Sequence, residues 1–330
     1  MTQRLDRLFE TARTQWKQVR KSRLGQWLLR GLRWGTLAGI LAYLAYQFTG
    51  VGWARVWSAL PTTPWFYVLL LLMYATLPAT EMVLYGTAWN GSPWALLPAL
   101  LRKRVLNNDV AGYSGEAYFS AWAYRHTNLG SRDILATIKD NTLVSSVAST
   151  SVAFLLLAVF FATERVEVLT QFLPGPSSTL AAGASVFVLA VVLGVRFRRA
   201  LFSLPPSLLW LMGTGHVVRF LLNNGLQVTQ WAVVLPSVPP ETWITLLALH
   251  IVINQVPLVP SRGLVFMSAG VGLSGPLHIP EAALASMLLA QTLLDRGLNF
   301  FAYAGTSALD AATAGERAAL EDLSLPDEAA

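Results

Sequence analysis

The chain contains no cysteine, few charged side chains and only four histidines. The absence of cysteine excludes disulfides, zinc–thiolate centres and thiol nucleophiles. Charged residues make up 13% of the 330 residues, well below the roughly 25% that is usual in soluble domains. The histidines are too widely separated to form a recognised metal-binding motif. We therefore expect no bound metal, and we expect a class of protein other than a soluble globular domain.

Apolar residues make up 54% of the chain and are gathered into long blocks. A block of about 18 or more apolar residues can cross a bilayer as an α-helix. The short alternating segments that are typical of transmembrane β-barrels do not occur in the sequence. We therefore predict an all-α, polytopic transmembrane bundle with about six full spans. The predicted spans cover residues 34–48, 64–85, 141–163, 179–195, 208–234 and 281–304.

The positive charge is concentrated at the start of the chain. Residues 1–33 hold nine Lys or Arg and two acidic residues, with apolar residues recurring at helical spacing between them. This pattern predicts a basic amphipathic helix on the membrane surface, with anionic phospholipid headgroups rather than nucleic acid as its partner. The transmembrane domain is predicted to cover residues 34–308, and residues 309–330 to form an acidic, disordered cytoplasmic tail.

Basic clusters at 30–33, 102–104 and 196–199 all fall on the same side of the predicted bundle. Because Lys and Arg are enriched in cytoplasmic loops, this side is predicted to be cytoplasmic. Both termini then lie in the cytoplasm of a bacterial inner (plasma) membrane, and the chain is multi-pass.

Two segments, 92–125 and 243–278, interrupt the pattern of full spans. Trp94–Leu101 is too short to cross a bilayer, and the second segment breaks at Pro257 and Pro260 before a glycine-rich run. Paired broken helices often mark substrate sites in transporters, and they are compatible with an inverted repeat. The alternative is that 92–125 is a cytoplasmic loop with an interfacial helix and that 257–278 is a surface loop.

Polar residues within or beside apolar segments are candidates for substrate binding, because charges at membrane depth are costly and usually face a partner or a wet cavity. Three of them share one face of the fifth predicted span and could line a groove; interhelical hydrogen bonding is the alternative. The candidates are Glu116, Asp140, Arg219, Asn223, Gln227, Asn254, Arg262 and Arg296.

Two further polar positions have simpler expected roles. Glu81 is expected to snorkel or to accept a bond from a neighbour, and the adjacent Asp295 and Arg296 to pair with other helices. No nucleophile–base pair, phosphate loop or dinucleotide fingerprint is found in the sequence. We therefore predict no catalytic residue, no cofactor and no enzymatic activity.

Three features stand out together: the Gly-Glu pair at 115–116, the Pro257 and Pro260 pair followed by Gly263-Leu264, and Arg296 in the last predicted span. In these features and in its layout the chain resembles the lysylphosphatidylglycerol synthase transmembrane-region family, a set of flippase-like membrane proteins. Asn107–Glu116 matches a family segment and keeps its Gly-Glu pair, without the family's proline. Val256–Leu264 keeps the two prolines and Gly-Leu of a second segment, without the Gly and Glu that follow. Lys139–Asn141 stands where the family has Glu-Arg, and Arg296 matches the arginine of the last span.

The resemblance implies lipid translocation without lipid synthesis, since a lysyl-transferase domain is not expected in this chain. We expect a flippase that moves a phospholipid or lipid-linked anionic headgroup along a polar groove. Arg219, Arg262 and Arg296 would attract the phosphate, while Glu116 and Asp140 would contact a cationic headgroup or a coupling ion.

Two alternatives from other classes stay open. One is a membrane scaffold or accessory subunit for a lipid- or glycan-modifying enzyme, with the basic N-terminal helix and acidic tail as docking surfaces. The other is an enzyme acting on polyprenyl or phospholipid substrates. The oligomeric state is also open, with a homodimer among the expectations.

Overall fold

The computed structural model describes residues 53–58, 60–110, 113–162, 201–255 and 262–324. Every regular element within these ranges is helical, which confirms the all-α prediction. The predicted amphipathic helix of residues 1–33, the first and fourth predicted spans and the proline pair at 257–260 lie outside the described residues.

The described helices follow one another along the chain, and one π-helical turn interrupts them. The elements are α1 (Trp53–Ser58), α2 (Pro64–Trp89), α3 (Pro93–Val105), the π-helical turn (Leu106–Val110), α4 (Ser114–His126), α5 (Ser131–Ala162), α6 (Pro206–Val234), α7 (Pro240–Gln255), α8 (Arg262–Gly272) and α9 (Glu281–Ser324). Residues 309–324, which were predicted to belong to a disordered tail, are therefore helical. The acidic residues there do not interrupt α9, because Ala, Leu and Glu are good helix formers.

Two described helices are long and apolar enough to cross a membrane by length and composition. They are α2 and the Ser131–Val159 part of α5, and they coincide with the second and third predicted spans. The helices α6 and α9 occur where spans were predicted, but they carry more polar residues and do not reach the same apolar level. Among the described residues, two of the six predicted spans are therefore helices long and apolar enough to cross a membrane, and six full spans are not confirmed.

The described residues fall into two units. The first holds 53–58, 252–255 and 262–286, and the second holds 60–110, 113–162, 201–251 and 287–324. In the first unit, α8 is followed by a turn in which His278 takes a left-handed φ of 53°. In the second unit, α6 packs against α2 and α5, and α3 packs against α2 and α4.

The helix α2 shows how local sequence sets the element boundaries. It begins at Pro64, whose fixed φ suits the first turn of a helix. It ends at Asn90, which adopts a left-handed φ of 50° and donates its backbone N–H to Gly86. Its apolar face forms a buried cluster with α3, α4 and α5 that includes Tyr85, Leu100 and Phe119.

The predicted break at 92–125 is present as two short helices. The helices α3 and α4 have 13 residues each and are joined by the π-helical turn and by Tyr113, which takes a left-handed φ of 67°. We call α3, this turn and α4 the hairpin. It packs between α2 and α5, since α3 contacts α2 and α4 contacts α5.

Candidate functional site

A buried charge pair joins the hairpin to α2. Lys103 is 3% exposed, and its Nζ lies 2.5 Å from Oε1 of Glu81 and 3.7 Å from Oε1 of Glu116. Residues 102–104 were predicted to form a cytoplasmic basic cluster; the side chain of Lys103 is buried in the protein, and the cytoplasmic location stays a prediction. The two carboxylates so close to the ammonium favour the charged form of Lys103.

Aromatic rings complete the surroundings of this ammonium group. The Lys103 Nζ lies 5.3 Å from the ring centroid of Tyr85 and 5.6 Å from that of Phe119. Ring faces attract cations at such distances, most strongly where water is excluded. Lys103 is thus held by two carboxylates and two rings from α2 and α4.

A hydrogen-bond chain extends from Glu81 to α6. The Asn141 Nδ2 donates to Oε1 of Glu81 at 3.4 Å and to the Tyr85 hydroxyl at 3.1 Å. Its Oδ1 therefore faces Nε2 of His216 at 3.0 Å and accepts a hydrogen bond from the Nε2–H. This fixes Nε2 as the protonated ring nitrogen and leaves Nδ1 as a bare acceptor. His216 is fully buried, and Nδ1 has no hydrogen-bond partner in the described part of the chain.

Asn107 fixes the bend of the hairpin. Its Oδ1 accepts the backbone N–H of Gly115 at 2.8 Å, and its Nδ2 donates to Oε1 of Glu116 at 3.1 Å. Gly115 lies so close to the Lys103 carbonyl that an added Cβ would collide with it. The absence of a side chain at position 115 is therefore what lets the two short helices approach and positions Glu116 beside Lys103.

Polar contacts also tie the hairpin to α9. Arg104 Nη2 lies 3.3 Å from Oδ1 of Asp295, and Arg296 forms an ion pair with Asp109. The Asn299 Nδ2 donates to Oδ2 of Asp109 at 2.9 Å. The prediction that Asp295 and Arg296 pair with other elements is confirmed, one partner lying on α3 and the other in the π-helical turn.

Arg219 contributes a second cation near this cluster. It lies on α6, three residues after His216, and Glu81 and Arg104 are close enough to act on it electrostatically. The Nε atoms of Arg219 and Arg104 are buried and have no hydrogen-bond partner among the residues described. Both guanidinium groups thus keep a donor that the described side chains do not use.

Asp140, which was predicted to contact a headgroup or a coupling ion, is engaged by backbone N–H groups of the segment before α6. Its side chain is fully buried, and its Oδ2 accepts the backbone N–H groups of Ser203 at 2.7 Å and Leu204 at 2.8 Å. Its Oδ1 lies 3.0 Å from the Lys139 ammonium. Asp140 therefore anchors the segment that leads into α6, and the contacts do not place it against a substrate.

The polar stripe of α6 is engaged by neighbouring helices. Asn223 accepts a hydrogen bond from Thr76 at 3.2 Å. Gln227 and Gln291 exchange two amide hydrogen bonds, of 2.7 and 3.3 Å, and Gln227 also donates to Gln230 at 3.1 Å. These contacts favour interhelical hydrogen bonding over a groove for Asn223 and Gln227.

The remaining predicted site residues divide between the units. Glu116 and Arg219 belong to the cluster, and Arg296 is paired with Asp109 in the same unit. Asn254 lies in the last turn of α7 and Arg262 begins α8, where it is exposed. Both belong to the first unit, whereas the candidate site consists of residues of the second unit alone.

Several members of the cluster were not among the predicted site residues: Glu81, Tyr85, Lys103, Asn141 and His216. A signal for the central pair exists in the sequence, because a glutamate deep in an apolar span requires a cation. Lys103 lies 22 residues after Glu81 in the sequence, just after a short apolar stretch, and is therefore a candidate for that cation. Among the described residues, no group of three or more His, Asp or Glu is arranged to hold a metal ion.

The described residues define an all-helical fold with a buried charged cluster and with two helices that are long and apolar enough to cross a membrane. No family model matches the chain, and no curated protein or solved structure is detectably similar to it. The resemblance to the lysylphosphatidylglycerol synthase transmembrane-region family stays a prediction from the sequence.

Proposed function

We propose that this chain is a multi-pass transporter of the bacterial inner membrane that moves a phospholipid or lipid-linked anionic headgroup between leaflets. The buried cluster around Lys103 and Glu81 is the observation that carries the proposal. Glu81 lies on α2, which is of membrane length, and it is 6% exposed. Ionisable groups at such positions are costly and commonly mark substrate or ion pathways.

The hairpin supports the proposal through its length. A helix of 13 residues extends only about 20 Å, against about 30 Å for the hydrocarbon core. A hairpin of two such helices can enter a bilayer and return without crossing it. Irregular backbone such as the π-helical turn is tolerated at membrane depth where it is buried in protein or lines a wet cavity. The hairpin is accordingly the proposed re-entrant element.

Guanidinium groups supply the proposed headgroup contacts. Arg219 and Arg104 each keep a buried Nε donor that no described side chain uses. Phosphate oxygens accept strong, charge-assisted hydrogen bonds from such donors. Arg296 is about half exposed in its pair with Asp109, so a phosphate can compete with the carboxylate for it. Arg219 is the residue on which the proposal depends most.

The test is translocation of fluorescent phosphatidic acid, phosphatidylglycerol and phosphatidylcholine in liposomes that contain the purified chain. Dithionite quenching reports the rate at which inner-leaflet label reaches the outside. The wild type should accelerate the movement of an anionic lipid more than that of phosphatidylcholine, and Arg219→Ala should reduce the anionic-lipid rate at least several-fold. Arg132→Ala is the matched control, because Arg132 is an exposed arginine at the start of α5. Its rate should equal that of the wild type.

Folding of each variant is checked by monodisperse elution and by its thermal unfolding midpoint. Failure of the folded wild type to move any headgroup class would overturn the proposal and favour the scaffold alternative. Equal rates for Arg219→Ala and the wild type would overturn the assignment of the site.

A further inference from the structure

On one face of α6, His216 has an acceptor nitrogen that lacks a donor, and Arg219 has an N–H donor that lacks an acceptor, among the described residues. The Nδ1 of His216 is a buried acceptor without a donor in the described chain, and the Nε–H of Arg219 is a buried donor without an acceptor there. Residues three positions apart on a helix are neighbours, with Cβ atoms roughly 5–6 Å apart. A single small group that offers both an acceptor and a donor would satisfy both residues.

The contacts of Asn141 show which nitrogen of the His216 ring carries the proton. Asn141 donates through Nδ2 to Glu81 and Tyr85, so its Oδ1 receives the His216 Nε2–H. A second proton on Nδ1 would create a buried N–H without an acceptor among the described residues, which is costly. The contacts therefore fit neutral His216, with Nδ1 able only to accept.

A singly protonated phosphate monoester carries the complementary pair of groups. Its anionic oxygen accepts from the Arg219 Nε–H, and its P–OH donates to Nδ1 of His216. A phosphate diester has the anionic oxygen but no P–OH. Because His216 is fully buried, a ligand bound to it loses its contact with water. A diester that cannot donate to Nδ1 therefore leaves a buried acceptor without a partner, at the full desolvation cost of that group. Sites that bind substrates through buried polar groups reject analogues that lack the partner group.

We propose that His216 and Arg219 form a binding site selective for a singly protonated phosphate monoester over a phosphate diester. The inference rests on the proposed transport function, because it names the headgroup chemistry of the same site. Two cations act on His216 electrostatically, Arg219 on α6 and Lys103 on α3. Glu81 and Tyr85 on α2 are linked to His216 by the hydrogen bonds of Asn141. Arg104 on α3 also acts on Arg219.

The experiment measures binding separately from transport. Native mass spectrometry of the full chain in detergent compares phosphatidic acid with phosphatidylmethanol, which differs by one methyl group that removes the P–OH. At pH 6 the acid should bind about tenfold more tightly, as expected for one matched buried hydrogen bond. At pH 8 the preference should shrink, because the second pKa of a phosphate monoester is about 6 and the P–OH is lost above it.

Two variants separate the roles of the residues. His216→Phe should remove the preference for phosphatidic acid while leaving phosphatidylmethanol affinity unchanged. Arg219→Gln should weaken both lipids about equally. If His216→Phe fails to fold, the wild-type comparison of the two lipids still decides. Equal affinity of the wild type for both lipids at pH 6 and pH 8 would overturn the inference, as would tighter binding of phosphatidylmethanol at low pH.

Inorganic phosphate distinguishes the sources of the phosphate group. Displacement of phosphatidic acid by inorganic phosphate at millimolar concentration would support the site and assign it to the free ion. Resistance to displacement would assign it to the lipid. A monoester preference in binding without translocation in liposomes would overturn the transport proposal alone. Translocation without that preference would overturn this inference alone.

Discussion

The Lys103 ammonium lies 2.5 Å from a carboxylate oxygen of Glu81, and both side chains are almost excluded from solvent. The pair joins α3 to α2, and Glu116 of α4 approaches the same ammonium at 3.7 Å. Buried ion pairs are often no more stabilising than apolar residues of similar volume, yet breaking one is strongly destabilising. The pair therefore specifies how the hairpin seats on α2 and marks the polar centre of the second unit.

Replacing the lysine tests this arrangement. Lys103→Met should lower the free energy of unfolding by about 3–5 kcal/mol, because it leaves the buried Glu81 and the partly buried Glu116 without their cation. Denaturant or thermal unfolding of the purified chain in detergent measures the change. Arg132→Met is the control, since that arginine is exposed. Equal stability of the two variants would show that the pair does not hold the hairpin.

The glycine at the hairpin bend is expected to be irreplaceable. In Gly115→Ala the new Cβ would collide with the Lys103 carbonyl and lie 2.8 Å from Oδ1 of Asn107. Since the carbonyl belongs to the backbone, we expect a clear fall in the unfolding midpoint and weaker lipid translocation. Gly225→Ala is the matched control, because nothing lies within 4 Å of a Cβ there. The prediction fails if both alanine variants unfold at the wild-type midpoint.

The reciprocal amide pair of α6 and α9 separates interhelical bonding from a groove. Gln227→Leu and Gln291→Leu should each destabilise the protein by about 1–3 kcal/mol, because each leaves the partner amide unsatisfied. The double variant should recover much of the loss and keep the translocation rate. A double-mutant cycle of unfolding free energies gives the coupling. Additive losses, or a double variant that is stable but inactive, would favour the groove.

Asp140 is expected to act on stability and not on headgroup preference. Asp140→Ala removes the acceptor of the Ser203 and Leu204 N–H groups, so unfolding should become easier by about 1–3 kcal/mol. The ratio of phosphatidylglycerol to phosphatidylcholine translocation should not change. The exposed Glu241 supplies the control variant, Glu241→Ala. A changed lipid preference in Asp140→Ala alone would return Asp140 to the substrate site.

Local patterns predicted much of the helical architecture. Pro64 and the apolar run after it gave the start of α2, and the short apolar stretch before Arg102 gave the break at the hairpin. The start of α5 was predicted at Asn141, but the helix begins at Ser131. Lys139, Asp140 and Asn141 resemble the polar end of a span. Their side chains contact residues that are distant in the sequence, and the spacing of apolar residues does not reveal such contacts.

The candidate site was predictable only in part. Helical spacing placed Arg219, Asn223 and Gln227 on one face, but it could not tell a groove from contacts with other helices. The ion pair of Lys103 and Glu81 was not predicted from the sequence, for a related reason. The two residues are 22 positions apart on different helices, and a basic run beside an apolar stretch ordinarily indicates the cytoplasmic face.

On the proposed function, Arg219 and its neighbours bind a phosphate headgroup inside the membrane. An experimental density map of the chain in lipid nanodiscs that contain phosphatidic acid and phosphatidylglycerol tests it most directly. We predict headgroup density within hydrogen-bond distance of the Arg219 Nε, with Lys103 still paired to Glu81. A map in which a protein carboxylate is hydrogen-bonded to the Arg219 guanidinium, with lipid only on the outer faces of α2 and α5, would contradict headgroup binding at Arg219.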